Sequence, residues 1–416
     1  MSRLQRKARD AFGKMAAMSC ALTVVTTYTN PACAQTDNVQ PIKIGLLYAK
    51  QGPSAAISES LVQGAELAMH QSGQRLLGRP IQLIWLDDPN PQVGQQNMQK
   101  LIDEDHVVAV MGGTISSSAL AMAALAQRRK IPYIATNAAA TELTGKSCNR
   151  YTFRTLPTVR VFTNALIPYM SEAGKKFYSI TPSYAFGQDA LKEFGSQTSK
   201  IGGSVIGSDE VAIGTSDYSA YMLKIRAAKP DAVLTALVGD GLSNFLKQWS
   251  EFGLKGKIPI GGVSVSVLDF WNAGAKATTG EYSLPWYYAD PNNTDEEKKF
   301  TTLYETQYHH PPSEKAWQSW FSTRALLQAI GSAKSTDPKS IVLALEKWHA
   351  VENGINVRFR ASDHQLVRPL VILRAKQSIS DKYDFFDVAE HALATSSELE
   401  AAYTVPAELA CRMPAI

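Results

Sequence analysis

This sequence has little net charge, few cysteines and no long apolar run beyond its first 40 residues, and each shortage excludes a class of protein. A helix that spans a bilayer needs about 20 consecutive apolar residues, so residues 41–416 are not expected to cross a membrane. The 42 Lys and Arg nearly balance the 38 Asp and Glu, which argues against binding to nucleic acid or to an anionic membrane surface. A chain of 416 residues is long enough for two hydrophobic cores of ordinary size.

The sequence also lacks the common signatures of catalysis. It contains neither of the nucleotide-binding fingerprints G-x-G-x-x-G and G-x-x-x-x-G-K-[ST], and no G-x-S-x-G nucleophile elbow. Its seven histidines form no H-x-x-x-H or H-E-x-x-H pair, and His309-His310, which precedes two prolines, is typical of a surface loop. Asp87-Asp88 ends a predicted strand and is typical of a solvated turn. We therefore expect neither an enzyme nor a bound metal or other cofactor.

The N-terminus has the three parts of a secretory signal peptide. Its basic residues are Arg3, Arg6, Lys7, Arg9 and Lys14. Residues 15–29 form a moderately apolar core, and Ala32-Cys33-Ala34 is an A-x-A cleavage site before Gln35. Cleavage near Ala34-Gln35 removes five basic residues and one acid and so leaves 37 of each sign. A disordered basic tail and a lipoprotein signal that uses Cys33 are the alternatives.

Four cysteines are present, and cleavage would remove Cys20 and Cys33. The remaining pair, Cys148 and Cys411, suggests one disulfide in an oxidising compartment, closing a loop of roughly 260 residues. Two buried free thiols are the alternative. Two cysteines without a neighbouring Cys or His partner do not indicate a zinc site.

Strands and helices alternate along the chain, and the same order occurs twice. The strand-length apolar runs are 42–48, 81–86, 107–111 and 131–135 in the first half and 176–181, 205–210, 232–237 and 258–261 in the second. The segments between them have helical periodicity. The best internal match is between HVVAVMGGTISSSALAMAALAQRRKIPYIA and PDAVLTALVGDGLSNFLKQWSEFGLKGKIPIGG. We predict two similar α/β halves with mainly parallel sheets.

Ligands of open parallel α/β sheets bind beyond the carboxyl ends of the strands. In the first half these ends carry the small residues of 113–117 and 135–139, and a helix that begins near Ser116 offers free N–H groups that suit a carboxylate. The matching ends of the second half carry Tyr184, Phe186, Gly239, Asp240, Ser264 and Ser266. Alternatively, Ser116, Ser117 and Ser118 only cap their helix, and Asp240 only caps the next one.

Seven segments occur in order over residues 41–375: IKIGLLYAKQGP, GGTISSSA, IPYIATNAAATELT, YTFRTLPT, SYAFGQDA, TSDYSAYMLKI and FGLKGKIPI. Together they resemble the type I periplasmic substrate-binding proteins of ABC importers, in particular the leucine-binding-protein-like group for branched-chain amino acids, amides and urea. The resemblance implies two Rossmann-like lobes that are joined by a three-stranded hinge and close on a ligand. The expected lobes are 35–157 with 285–352 and 158–284 with 353–416. The segments KSCNRYTF and ACRMP resemble a subgroup that pairs Cys148 with Cys411.

The resemblance also implies which residues contact the ligand. In the first lobe, Ser116 matches the serine that binds the ligand carboxylate, with Thr114 and Ile115 beside it. Asn137 and Ala139, on either side of Ala138, match the pair that completes this carboxylate site, and Ile57 matches an aromatic residue at its side. In the second lobe, Phe186 matches an aromatic contact. Val238 or Gly239 falls where amino-acid binders often have a tyrosine, and Val263 falls where they have the glutamate that pairs with the α-amine.

Two of these positions depart from the pattern of amino-acid binders. Ala139 lacks the hydroxyl, and Val263 cannot pair with an ammonium group, whose unpaired burial would cost several kcal/mol. A small carboxylate without an amine, an aromatic acid or a neutral amide is therefore expected, unless Asp240 supplies the missing acid. We expect a monomeric protein of the periplasm that delivers its ligand to the membrane permease of an ABC importer. A periplasmic sensor of the same fold is the alternative.

Overall fold

The computed structural model describes residues 39–404 and 410–413. The expected signal peptide, residues 1–34, lies outside them. No helix in the described ranges is both long and apolar enough to cross a membrane. The chain forms two α/β lobes, each built on its own mainly parallel sheet, which confirms the fold predicted from the alternating pattern.

The first sheet has six strands in the order β2-β3-β1-β4-β5-β6. They are β1 (Ile42–Leu47), β2 (Arg75–Leu76), β3 (Arg79–Leu86), β4 (Ala109–Gly112), β5 (Tyr133–Ala135) and β6 (Thr152–Arg154). All neighbours are parallel except β2 and β3. The helices of this lobe are α1 (Ala55–Gln71), α2 (Pro91–Asp103), α3 (Ser116–Arg129), α9 (Asp295–Tyr308), α10 (Glu314–Ala333) and α11 (Pro338–Lys347), with a 3-10 turn at Thr141–Thr144. Strand β1 is buried along almost its whole length, as expected where helices cover both faces of a parallel sheet.

The second sheet has seven strands in the order β16-β15-β11-β10-β9-β7-β8. They are β7 (Lys176–Pro182), β8 (Ser204–Val211), β9 (Ala232–Thr235), β10 (Ile260–Val263), β11 (Glu281–Leu284), β15 (Leu370–Ala375) and β16 (Phe386–Ala392). The first five are parallel, whereas β15 and β16 are antiparallel additions at one edge. The helices are α4 (Val159–Met170), α5 (Ala185–Lys200), α6 (Ser219–Ala228), α7 (Asp240–Glu251), α8 (Val267–Ala273) and α12 (Ser396–Tyr403).

The chain passes between the lobes three times, after β6, after β11 and after a small third sheet. That sheet consists of β12 (His349–Glu352), β13 (Ile355–Phe359) and β14 (Leu366–Val367). Val357, Phe359 and Leu366 pack into the core of the first lobe, whereas Val367 packs into the second. The last crossing therefore follows Leu366, later than the boundary at residue 352 that we expected from the sequence.

Two buried arginines hold the crossing segments together. Arg154, fully buried at the end of β6, donates from Nε to Oε1 of Gln365 at 2.6 Å. It also donates to groups in the loop 140–144. Burial lowers the pKa of Arg154 to about 10, which leaves it charged at neutral pH. Arg368 donates to the carbonyl oxygen of Pro285, so all three crossings are hydrogen-bonded into one hinge.

The C-terminal segment 410–413 is attached to the first lobe by a disulfide. Cys411 is bonded to Cys148, and their Cα atoms are 5.6 Å apart. Beside it, Nη1 of Arg150 lies 3.4 Å from the sulfur of Met413. The disulfide closes a loop that contains more than half of the chain, because the two cysteines are 263 positions apart.

Candidate ligand-binding site

A pocket lies between the two lobes at the carboxyl ends of their parallel strands, and we call it the interlobe pocket. Its lining residues are Ser54, Ile57, Thr114, Ile115, Ser116, Asn137, Ala139 and Lys315 from the first lobe and Tyr184, Phe186, Val238 and Ser264 from the second. The empty space is about 400 Å³, including its open mouth.

The structure brings nine of the thirteen residues expected to contact a ligand into this lining. They are Ile57, Thr114, Ile115, Ser116, Asn137, Ala139, Tyr184, Phe186 and Ser264. The other four, Ala138, Gly239, Asp240 and Val263, do not line it. Ala138 and Val263 have no exposed surface and pack into the cores of the first and second lobe, respectively.

Gly239 and Asp240 instead form a contact between the lobes. A Cβ atom on Gly239 would lie 2.6 Å from the carbonyl oxygen of Pro53, so only glycine fits there. The backbone N–H of Asp240 donates to the same oxygen at 3.5 Å, and its carboxylate accepts from Asn272. Asp240 therefore does not supply an acid to the pocket in place of the missing glutamate.

The sequence did not point to Ser54 and Lys315. Ser54 precedes α1, and Lys315 lies in the first turn of α10, far along the chain from the strand ends that guided the expectation. One signal for Lys315 was available: a cation is disfavoured in the first turn of a helix because the helix dipole is positive there. Lysine at this position therefore suggests a role other than helix stability.

The turn at Thr114 is held rigidly by its neighbours. Its backbone N–H donates to Oδ2 of Asp88 at 2.9 Å, and its hydroxyl accepts from the N–H of Ala49 at 2.8 Å. Asn137 donates from its amide to the carbonyl oxygen of Thr114 at 3.0 Å. Gly113 has φ 93°, and a Cβ there would lie 2.7 Å from the hydroxyl of Tyr133. These contacts fix the loop that presents Thr114 to the pocket.

Asp88 is buried, which corrects our interpretation of Asp87-Asp88 as a solvated turn. It has no exposed surface, and burial raises its pKa to about 7, although the hydrogen bond from Thr114 lowers it in part. Asp87 is only half-buried and accepts from the N–H of Lys50 at 2.7 Å. The two neighbouring carboxylates thus have different environments, and Asp88 supports the pocket from behind.

Ser116 is the first residue of α3 rather than its cap. The capping position is Ile115, whose side chain cannot accept a hydrogen bond, so the alternative in which Ser116, Ser117 and Ser118 only cap the helix is wrong. Oγ of Ser116 accepts from the N–H of Ala140 at 3.2 Å, which joins the two loops on this side of the pocket. Because an accepting hydroxyl keeps its proton, Ser116 can still donate to a ligand.

Three helices that begin at the pocket have no side-chain cap. They are α1, α3 and α5, and none has an acidic residue in its first turn. Helices α6 and α7 also lack a side-chain cap, whereas α2, α4, α8, α9, α10, α11 and α12 each begin with a side chain that accepts from the first turn. Uncapped N–H groups at a helix start attract an anion through hydrogen bonds and the helix dipole. Three such groups therefore surround the interlobe pocket.

Two aromatic rings form the side of the pocket that belongs to the second lobe. The ring centroids of Tyr184 and Phe186 are 6.1 Å apart, and Phe186 is buried. Burial raises the pKa of Tyr184 well above its usual value, and the nearby Asp269 raises it further, so the hydroxyl stays protonated. Ser264 has φ 55°, which turns the chain at the end of β10.

Lys315 is the one charged residue in this lining. It is 3% exposed, and its ammonium nitrogen lies 3.6 Å from Oε1 of Glu314. The other oxygen of Glu314 accepts from the backbone N–H of Val267 at 3.1 Å, a contact from the second lobe to the first. Behind them, burial raises the pKa of Asp269 to about 8.

The two lobes contact each other around the pocket, so the structure is a closed form. Besides the contacts at Pro53 and Glu314, the backbone N–H of Thr141 in the first lobe donates to Oδ2 of Asp189 in the second at 2.6 Å. Burial raises the pKa of Asp189, while the bond from Thr141 lowers it. A ligand in this pocket would be largely hidden from water.

The pocket lining has groups for binding and few for catalysis. It includes no histidine, cysteine or carboxylate, and the first and last of these are the side chains that most often act as a general base toward a serine. Elsewhere in the described ranges, no group of three or more His, Cys, Asp or Glu is arranged to hold a metal ion. The arrangement is suited to holding an electron-rich solute.

Comparison with known proteins identifies the relatives of this chain. The sequence model of a periplasmic binding protein family matches residues 41–382. The Leu/Ile/Val-binding protein homolog 4 of Brucella melitensis is 27% identical over 373 residues, covering 83% of this chain and 87% of that protein. Homolog 6 of Brucella suis is 23% identical over 328 residues, covering 76% and 82%.

Solved structures have the same fold. A periplasmic binding protein from Burkholderia mallei superposes with a TM-score of 0.81 at 21% identity, covering 89% of this chain and 98% of its own. An ABC transporter solute-binding protein from Rhodopseudomonas palustris, in complex with benzoate, superposes with a TM-score of 0.75 at 24% identity, covering 83% and 96%. The matched family consists of solute-binding proteins rather than enzymes.

Proposed function

This chain belongs to the periplasmic binding protein family, and on that premise we propose that it captures a small organic acid between its lobes and delivers it to an ABC importer. The observation that carries the proposal is the interlobe pocket itself. Three uncapped helix starts and a buried lysine face one small space, and no carboxylate lines it. Such a pocket favours an anion and offers it no reactive group.

The carboxylate of the ligand is proposed to bind at the start of α3. The hydroxyl of Ser116 and the uncapped N–H groups of that helix supply its hydrogen bonds. Tyr184, Phe186 and Ile57 would then pack against the rest of the molecule. Their rings and side chain suit an apolar or aromatic body.

An acid without an amine is favoured over an α-amino acid. Val263, which matches the glutamate of amino-acid binders, is buried in the core, and Asp240 does not line the pocket and accepts from Asn272. An ammonium group would thus be buried without a carboxylate partner. Among structural neighbours, proteins from R. palustris strains were crystallised with benzoate, 3,4-dihydroxybenzoic acid and 4-hydroxybenzoate, which makes aromatic acids the first compounds to test.

A thermal-shift screen followed by calorimetric titration tests this function. Aromatic acids, aliphatic acids, dicarboxylates, amides and amino acids would be added to the purified protein. A ligand at 100 times its dissociation constant stabilises the folded state by about 2.7 kcal/mol, which gives a clear shift. We expect one organic acid per chain to bind, and nuclear magnetic resonance should recover it unchanged. Turnover of the ligand, or no stabilisation by any compound, would contradict the proposal.

Location and delivery form a second part of the proposal. We propose that residues 1–34 are a signal peptide that directs the protein to the periplasm, where a Cys148–Cys411 disulfide is stable. There we expect a monomer that presents the closed lobes to a membrane permease. Uptake of the labelled ligand by cells with and without the gene tests delivery. If uptake is equal but a ligand-dependent response is lost, the protein serves as a sensor instead.

A further inference from the structure

Lys315 has an environment that its own fold does not explain. It is 3% exposed, lines the interlobe pocket and is part of the first turn of α10. An ammonium group offers three hydrogen-bond donors, and in the described part of the chain Lys315 donates none of them to a side chain or backbone oxygen within hydrogen-bond distance. Buried charges normally have such partners.

The neighbouring Glu314 is an incomplete partner for this lysine. The two groups are 3.6 Å apart, beyond the usual N–H···O distance. The second oxygen of Glu314 is already engaged with the backbone N–H of Val267 in the opposite lobe. Glu314 therefore has a role in lobe contact, and it lowers the positive potential at Lys315 without satisfying its donors.

Helix stability does not account for Lys315 either. The helix dipole is positive at its start, so a cation there is unfavourable by typically 0.3–1 kcal/mol. The N-cap of α10 is already provided by Ser313, whose hydroxyl accepts from the N–H of Ala316. A buried lysine that opposes its own helix and lines a pocket is explained by what the pocket binds.

We propose that Lys315 is the residue that selects the ligand class, by pairing with an anionic oxygen of an organic acid that carries no ammonium group. The proposal rests on the solute-binding function proposed above and specifies its ligand. Zwitterionic amino acids would bring a second cation to a pocket whose lining has no carboxylate. Neutral amides would leave the lysine unpaired.

The carboxylates around Lys315 are few. Glu314 and Asp269 are the acidic groups that act on this part of the pocket. Asp269 is a buried residue in the first turn of α8, and because burial raises its pKa to about 8 it is mostly protonated at neutral pH. Glu314 is thus the group that competes with a bound anion for Lys315. Removal of the charge of Lys315 should therefore weaken binding of an anion, and removal of the charge of Glu314 should strengthen it.

Matched ligands test the proposal on the unmodified protein. Protein expressed from the full-length sequence would be titrated with benzoate and benzamide, and with other acid and amide pairs of one shape from the thermal-shift screen. We expect the acid of the binding pair to bind at least about tenfold more tightly than its amide. Equal affinity for acid and amide would overturn the role of Lys315 while leaving solute binding intact.

Variants of Lys315 and of the neighbouring Glu314 provide a second test of the proposal. Lys315→Met should weaken binding of the acid by about 30-fold or more and change that of the amide by less than about threefold. Glu314→Gln, which keeps an acceptor for Val267, should strengthen binding of the acid. Lys43→Met, a lysine of β1 outside the pocket, is the control and should leave both affinities unchanged. If Lys315→Met binds the acid as the unmodified protein does, the proposal is wrong. If no compound binds the unmodified protein, the proposed function itself fails.

Discussion

The backbone N–H of Thr141, in the first lobe, donates to the carboxylate of Asp189, in the second lobe, at 2.6 Å. This hydrogen bond joins the two lobes directly. A hydrogen bond to a charged group contributes about 1.5–3 kcal/mol. It should therefore favour the closed form, which is the form that retains a ligand.

Asp189→Ala is expected to weaken ligand binding by about tenfold, because the closed form loses this bond. Calorimetric titration measures the affinity, and small-angle scattering measures how far the liganded protein stays compact. Asp217→Ala provides the control, since Asp217 is exposed and accepts only from Ser219. Equal affinities for the Asp189 and Asp217 variants would show that this contact has no part in closure.

Ser116→Ala should weaken binding of the acid by at least about tenfold, because the variant loses both a ligand donor and the acceptor for the N–H of Ala140. Ser117→Ala is the matched control, since Ser117 is the next residue of α3 and does not line the pocket. Calorimetric titration of both variants with the same acid measures the difference in affinity. A Ser116 variant that binds as tightly as the Ser117 variant would place the carboxylate elsewhere.

The buried Asp88 predicts a dependence of stability on pH. Its pKa is about 7 in the folded protein and about 3.9 when unfolded, so folding takes up a proton between these values. The stability that protonated Asp88 contributes is present below about pH 4 and is lost as the pH rises toward 7. Asp269, with a pKa of about 8, acts in the same direction up to a higher pH.

Urea unfolding at pH 5, 7 and 9 measures this effect. Asp88→Asn, which keeps an acceptor for Thr114, should lose less free energy of unfolding between pH 5 and 9 than the unmodified protein. Each unit of pKa difference corresponds to about 1.4 kcal/mol. Asp87→Asn should weaken the pH dependence only slightly, because the charge of Asp87 is a minor cause of the raised pKa of Asp88. An identical pH dependence in the Asp88 variant and the unmodified protein would contradict the assignment.

Replacement of both Cys148 and Cys411 by alanine should lower the free energy of unfolding by up to about 5 kcal/mol, because the disulfide shortens the unfolded chain across 263 positions. Denaturant unfolding with and without a reductant measures the loss. The reductant should affect the unmodified protein and leave the double variant unchanged. Detection of two free thiols in the protein isolated from the periplasm would contradict the pairing.

The fold could be predicted from the sequence because its signals are local. Apolar runs such as Ile42–Leu47, the helical spacing after them and the glycine turn at Gly113 each lie within a few neighbouring residues. The repeat of this order then gives two similar lobes. The strand ends that carry Ser116 and Tyr184 were found by the same reasoning, since ligands bind where parallel strands end.

What the sequence did not reveal depends on distant contacts. Asp88 is buried because its partner, the N–H of Thr114, lies 26 positions later. Lys315 comes to the pocket because α10 packs on α1, through contacts such as the bond between the hydroxyls of Ser60 and Ser313. The last crossing of the chain into the second lobe, after Leu366, likewise depends on packing, and no local sequence pattern indicates it.

We propose that an organic acid binds between the lobes with its carboxylate at the start of α3 and an anionic oxygen beside Lys315. A crystal structure of the protein grown with the tightest-binding acid tests this most directly. We predict electron density for one molecule in the interlobe pocket, with its carboxylate within hydrogen-bond distance of Ser116 and an anionic oxygen beside Lys315. An empty interlobe pocket at saturating ligand, or the acid bound on another surface, would contradict the account.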